Sequence, residues 1–439
     1  MSRLNDRYPF ARGWAVVVAC GLLLGAGAAR AAQIENVTVV LRDGKTATVK
    51  FDIGWDNSWR HEANHDAAWV FFKVRAAGEK EWQHVRLVAD KVLNPTGYGQ
   101  AEGGTRLDFI VPDGEEGFLG MLVRRAEYGV GKVAATKVTV VWDLTANTGI
   151  TKDTKVDVRA FGIEMVSIPE GPFYLGSGGT EPYRFYRYTD GTQHTLPYRV
   201  TSAGAIPTGQ QPAKLWARRG AQPEDNGELP AAFPNGYAAF CCMKYHTTGA
   251  EYVGFLNTLT PAEADRRYTA GGGHGVGIRR SSAGPDNAFS ATFASRECGG
   301  LSWADGAAFA AWAGLRPMTE LEYEKVCRGP MEPGWDTGDE LDHPSYWEVQ
   351  NINGWRLLRE RLVTVAHSKG RGFKGTHGRG TTALPADWPQ DDAIGTGIRG
   401  GYGAAGRPSH RLDAATVGAD RTSFGGWRGA RTAPKGVGP

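Results

Sequence analysis

Cysteine is scarce in this sequence. There are five in 439 residues: Cys20, Cys241, Cys242, Cys298 and Cys327. Residues 33–155 have none, so no disulfide staples that stretch, and the spacing of the others fits no zinc site. Long apolar runs are also few. The main one, residues 14–24, is too short to span a bilayer. A surplus of one charge is missing as well. Four arginines and one aspartate fall in the first 31 residues, and the rest of the chain holds 46 basic and 46 acidic side chains. That balance gives no electrostatic footprint for nucleic acid or an anionic membrane surface.

Glycine is abundant, with 61 residues, and points to many turns and irregular segments in place of long helices. At the N-terminus Arg3, Arg7 and Arg12 precede the apolar run, and Ala29-Arg30-Ala31 follows it. This is the pattern of a secretory signal peptide over 1–31. A lipoprotein reading of Val18-Ala19-Cys20 fits less well, because the apolar run continues past Cys20. The expectation is an exported protein (secreted, periplasmic or cell-surface) with no membrane span once the leader is removed.

Residues 33–155 read as strands. Val37 to Leu41, a turn at Asp43-Gly44, and Thr46 to Phe51 form a hairpin pattern, and five further short strand-like runs follow to Trp142. The pattern predicts a two-sheet β-sandwich of immunoglobulin type. Trp55, Trp59 and Trp69 are expected to fill its core. His61 and His65 are four apart beside Glu62 and Asp66, but no third ligand is evident, and a solvated loop is expected there.

A polar boundary at 151–157 predicts a second domain over 156–439. It carries an insertion at 178–236 whose aromatics (Tyr183, Phe185, Tyr186, Tyr188, Trp216) mix with arginines, either as a binding loop or as a self-packed one. Thr248 with Glu251, Ser302 with Asp305, and Thr319 with Glu322 each read as a capping box opening a helix. Trp303, Phe309 and Trp312 supply the apolar weight of the second helix, and Gly314 ends it. Cys241 and Cys242 alternate across a strand, so one of them should face a core, and one disulfide is expected among Cys241, Cys242, Cys298 and Cys327.

The run from Leu301 through Arg316-Pro317-Met318-Thr319-Glu320-Leu321-Glu322-Tyr323-Glu324 to Arg328-Gly329 resembles the signature of the formylglycine-generating enzyme family, the sulfatase-modifying factor domain. Residues 164–177, 240–260 and 396–431 continue the resemblance, with Arg399-Gly400-Gly401 and Gly426-Trp427-Arg428-Gly429-Ala430-Arg431 similar to its two closing strands. It implies an α+β domain related to the C-type lectin fold and rich in irregular loops. In the family a serine and two copper-binding cysteines follow the paired glycines. Here those positions hold Tyr402, Ala405 and His410. Alanine and histidine do not replace two soft thiolate ligands for Cu(I). The family's calcium-linked segment is also reduced, to Asn351-Ile352-Asn353-Gly354-Trp355, so calcium has no motif behind it. The resemblance therefore implies an exported non-catalytic binding or structural module, without a required cofactor, whose partner is a surface glycan, a protein or a second copy. Tyr402, Arg407, His410 and Trp427 are the candidate binding residues. The alternative is a copper-dependent oxidase acting on a substrate cysteine.

The leader reading has a direct check. Intact-mass measurement of the exported protein should place its first residue near Ala32, and a chain retaining residues 1–31 or carrying lipid on Cys20 would refute it.

Overall fold

The structure, a computed structural model, describes residues 16–17, 32–112, 118–191, 194–219, 222–268, 276–281, 289–333, 345–352, 358–401, 407–411, 420–422 and 424–438. The signal peptide reading falls almost wholly outside them. The chain is rich in antiparallel sheet. In chain order its principal elements are β1 (Gln33–Leu41), β2 (Thr46–Arg60), β3 (Asp66–Ala76), β4 (Leu107–Ile110), β5 (Met121–Arg125), β6 (Gly129–Asp143), β7 (Val156–Ile168), β8 (Phe240–Met243), α1 (Gly249–Leu256), α2 (Trp303–Ala313), β9 (Arg316–Pro317), α3 (Glu320–Arg328), β10 (Glu360–Val363), β11 (Thr396–Arg399) and β12 (Gly429–Thr432).

Two sheets face each other across the first core. One contains β1, β2 and β6, and the other runs β9-β12-β8-β7-β3-β5-β4. Strand alternation sends Val49, Phe51, Val138, Val140 and Trp142 from the first sheet against Ala68, Val70, Phe72, Val123 and Val158 from the second. The opposite face of the second sheet is buried too. Trp69, Phe71, Ile163, Met165 and Cys241 pack there with Trp303, Phe309 and Trp312 of α2. A strand covered on both faces should read as a continuous apolar run. Accordingly, Ala67 to Phe72 are all buried.

The expected boundary at 151–157 is not a linker between separate sheets. β7 begins at Val156 and pairs with β3 from Val156↔Ala76 to Val166↔Asp66, while its other edge pairs with β8 at Met165–Ile168. The sandwich region and the C-terminal region therefore share one sheet.

The three capping boxes form as the spacing predicts, at Thr248/Glu251, Ser302/Asp305 and Thr319/Glu322. Gly314 ends α2 in the left-handed region at φ 72°, where a side chain would be strained. α2 is buried nearly all round. Its small residues let the β12 approach come close, and Trp427 packs edge-on against Trp303 with ring centroids 5.2 Å apart. Trp55, Trp59 and Trp69 are all buried, but only Trp55 lies in the sandwich core as expected; Trp69 packs in the α2 core and Trp59 in a third cluster with Cys242, Tyr323 and Cys327, because the shared sheet is covered on both faces. The two closing segments of the family-like pattern lie in different sheets: β11 pairs with β10, and β12 pairs with β8 and β9.

Gly306 of α2 lies so close to the Trp427 ring that an added Cβ would collide with it. Gly306→Ala should therefore destabilise the protein by about 1–3 kcal/mol through overpacking, although alanine is the better helix former. Chemical denaturation would read this, and an unchanged or raised midpoint would show that the contact gives way.

Candidate functional site

The Glu-x-Glu-x-Glu run of α3 sets the chemistry of the C-terminal region. Helical spacing puts Glu320 and Glu324 on one face and Glu322 on another. Glu322 closes its capping box by accepting from Thr319 N at 2.9 Å and also takes Arg316 in a two-pronged pair at 2.9 and 2.6 Å. Glu320 accepts from Thr364 Oγ1 at 2.9 Å, Val365 N at 2.8 Å, Arg399 Nη2 at 3.1 Å, and Arg411 Nε and Nη2 at 2.7 and 3.1 Å. Glu324 accepts from Gly176 N at 2.7 Å, Arg328 Nη2 at 2.7 Å and Arg399 Nη2 at 3.1 Å. All three carboxylates are buried. Burial alone would raise the Glu320 pKa, but Arg411 and Arg399 outweigh it and hold the carboxyl at about 2. All three are committed to arginines and backbone donors that hold loops together.

The candidate residues separate on this base. Tyr402 and Ala405 lie outside the described residues. Arg407 and His410 are half-buried at the edge of the Arg399–Glu320 cluster, where His410 N donates to Arg407 O at 3.0 Å and Arg399 Nη1 to Pro408 O at 2.9 Å. Burial, with Arg399 and Arg407 nearby, lowers the His410 pKa to about 4, so its imidazole is neutral at pH 7. Trp427 is a correction: it is fully buried in the α2 core and offers no binding surface.

The insertion supplies what the candidate set lacked. Arg184–Arg187, Leu215–Arg218, Ile206–Thr208 and Gly227–Leu229 form a small sheet in that order. Tyr183 at its start accepts from Arg411 N at 2.8 Å, and its ring lies 5.6 Å from that of His410. Tyr183 is 40% exposed. The Arg411 guanidinium stacks over Phe185 at 3.9 Å. The insertion thus packs onto the closing loop through Tyr183 and Phe185, and the Tyr183–His410 pair forms an aromatic surface over a charge-neutralised layer. The mixture of Tyr and Arg at 183–188 was its only signal in sequence.

The cysteines correct two expectations. All four are free and buried, so the expected disulfide is not formed in this structure. Both Cys241 and Cys242 face cores, not one alone, because β8 belongs to a sheet covered on both sides. Cys241 shares a core with Cys298, and Cys242 shares another with Cys327. Burial pushes the Cys241 and Cys298 thiols up to about 12 and the Cys242 and Cys327 thiols higher still. Buried protonated thiols of this kind are inert.

Other buried charges are invisible to spacing arguments because their partners are far apart in sequence. Lys244 Nζ pairs with Asp66 at 3.0 Å and Glu164 at 3.1 Å. His246 Nε2 meets Glu360 Oε1 at 2.8 Å, and Arg428 Nε donates to the same oxygen at 2.8 Å. Lys73 Nζ donates to Trp312 O at 2.8 Å, Gly380 O at 2.7 Å and His84 Nδ1 at 2.9 Å. The solvated loop expected at His61 and His65 is corrected in part: His65 and Asp66 are buried, His65 beside Arg124, and burial and Arg124 hold the His65 pKa at about 3, so it stays neutral. Among the described residues no group of three or more His, Cys, Asp or Glu is placed to hold a metal ion. Asn351 donates to Glu297 Oε1 at 2.7 Å, and Asn353 to Trp355 lie outside the described residues.

No family model matches the chain, and no curated protein matches it.

The Glu320 cluster yields a pH-dependent expectation. Its folded-state pKa is depressed, so its stabilisation is complete above the unfolded value of about 4.3 and is lost as pH falls toward about 2. Glu320→Gln should cost about 3–5 kcal/mol at pH 7, because the buried Arg411 and Arg399 guanidiniums both lose a counter-charge, Arg399 keeping that of Glu324. The gap to the parent should narrow below pH 4. Urea denaturation across pH 3–7 tests this, and a constant gap would contradict it. A second expectation follows from the thiols: alkylation in denaturant without reductant should count four among Cys241, Cys242, Cys298 and Cys327, and none in the native protein. Two or fewer in denaturant would restore the disulfide.

Proposed function

We propose that this chain is an exported, non-catalytic binding or structural module. Its C-terminal region is built on a formylglycine-generating-enzyme-like scaffold, preceded by an immunoglobulin-like sandwich. The observation that carries the reading is the state of the thiols. Copper-dependent oxidation of a substrate cysteine needs a pair of accessible thiolates, and the four cysteines from 241 onward are buried and protonated at neutral pH. The carboxylates of α3 are likewise occupied by arginines.

What remains for recognition is the surface of Tyr183, Arg407 and His410. An exposed tyrosine beside a neutral imidazole and a guanidinium suits the face of a sugar ring or a peptide, by stacking and hydrogen bonding. The partner class is a surface glycan or a protein, with self-association as a further form of the same role.

The test is incubation with a Cys-x-Pro-x-Arg peptide, Cu(I) and oxygen. No aldehyde product is expected above a copper-only control. Turnover above that control would overturn the reading in favour of the copper-dependent oxidase.

A further inference from the structure

Three charged side chains meet on one face of the shared sheet. Asp66 opens β3, Glu164 lies on β7, and Lys244 follows the last residue of β8, where its backbone N donates to Glu164 O at 2.8 Å. All three are buried. β7 lies between the other two strands, so the lysine side chain reaches across it. Its Nζ ends 3.0 Å from Asp66 Oδ2 and 3.1 Å from Glu164 Oε2.

The end of β2 closes over this group. Trp55 Nε1 donates to Asp66 Oδ2 at 3.0 Å, and Asn57 O accepts from Lys244 Nζ at 3.0 Å. The amine also lies over the Trp59 ring, 4.8 Å from its centroid. Asp66 Oδ1 takes two further donors, Ser58 Oγ at 2.8 Å and Trp59 N at 3.0 Å. The two oxygens of one carboxyl are thus held differently: Oδ1 by two neutral donors, and Oδ2 facing the amine. A single ammonium balances one of the two carboxylates. Burial raises the Asp66 pKa, and it lifts Glu164 to about 7 against the pull of Lys244, with Asp66 adding to the rise. Glu164 can therefore both take and return a proton near neutrality.

We propose that Lys244 and Asp66 join in an intramolecular isopeptide bond, with Glu164 as the proton carrier. Glu164 moves two protons from Nζ to Oδ2, one before the attack and one after it. The Nζ–Cγ bond forms, the Cγ–Oδ2 bond breaks, and Oδ2 departs as water. One proton stays on the nitrogen, and Glu164 ends as it began. Ammonium and carboxylate thus become amide and water, with no oxidant or cofactor. Negative charge gathers on Oδ1 during the attack, where Ser58 Oγ and Trp59 N already donate. Holding amine and carboxyl in contact replaces the high concentration that condensation in water would need. Asp66 and Glu164 outweigh burial and hold the Lys244 pKa up, so the amine is freed rarely. The reaction needs that event once per chain. The bond would clamp β3 to β8 across β7 and so tie the sandwich to the C-terminal region. It involves no residue of the Tyr183–His410 surface, so either reading can fail without the other.

Mass spectrometry of the full chain tests this, on the parent protein after incubation at neutral pH. Denatured, it should weigh about 18 Da less than its sequence from the observed first residue, the mass of one water. Trypsin should fail to cut after Lys244 and should release residues 61–73 and 220–266 as one branched peptide. Lys244→Arg keeps the cation but should weigh its full sequence mass. Glu164→Gln should slow the loss of water by at least about a hundredfold. The parent's mass and digest decide the matter without requiring either variant to fold. A parent that keeps its full sequence mass overturns the proposal and leaves a plain ion pair. Water lost within a single peptide, as in a succinimide ring at Asp66, also overturns it. Linkage in Glu164→Gln at the parent's rate overturns the role of Glu164.

Discussion

The pairing of β7 with β3 is the constraint on which the rest of the structure depends. It runs unbroken from Val156↔Ala76 to Val166↔Asp66. Each of these strands presents one face to the sandwich core and the other to the helices. A side chain on β3 therefore belongs to one core or the other by parity alone: Val70 and Phe72 to the first, Trp69 and Phe71 to the second. A slip of one residue would exchange both sets at once, so two independent cores enforce the register.

That arrangement explains where the buried charges sit. Lys73 follows the parity of Trp69 and Phe71, so its amine emerges among the helices, where Trp312 O, Gly380 O and His84 Nδ1 surround it and burial lowers its pKa well below the usual lysine value. Lys244 spans from β8 to Asp66 on β3 and Glu164 on β7. Arg431 on β12 lies over the Trp69 ring at 4.2 Å and donates to Gly314 O. Removing either side of the Lys244 ion pair leaves an uncompensated buried charge, whereas exchanging both for apolar groups often costs little. The charges therefore act mainly against misassembly: a wrongly docked helix layer would leave each one without its acceptor.

The local parts of this fold were legible in sequence, and the long-range parts were not. All three capping boxes and the glycine stop of α2 could be read, because each is decided within four residues. The hairpin of β1 and β2 could be read for the same reason. The shared sheet could not. A polar stretch at 151–157 looks the same whether it links two domains or leads into a strand that joins them. The burial of both Cys241 and Cys242 follows from that sheet being covered on both faces, and that of Trp427 from its packing on Gly306 and Trp303 of α2, which no local pattern announces. At the candidate surface, His410 is reached by counting from Arg399, while Tyr183 comes from an insertion whose docking place only the folded chain reveals.

Residues 427–438 are woven into the middle of the structure. β12 lies between β8 and β9, Trp427 fills the space beside Gly306, and Gly438 O accepts from Arg124 of β5 at 2.7 Å. A chain still being synthesised would therefore hold a sheet with an unfilled slot until residues 429–432 of β12 arrived. Contacts of such sequence separation form slowly, because loop closure must precede any gain from pairing. Completion of the core thus doubles as a proofreading step: a product cut short before residue 427 would expose the Gly306 face of α2 and the β8 edge, the kind of surface by which quality-control proteases recognise unfinished chains.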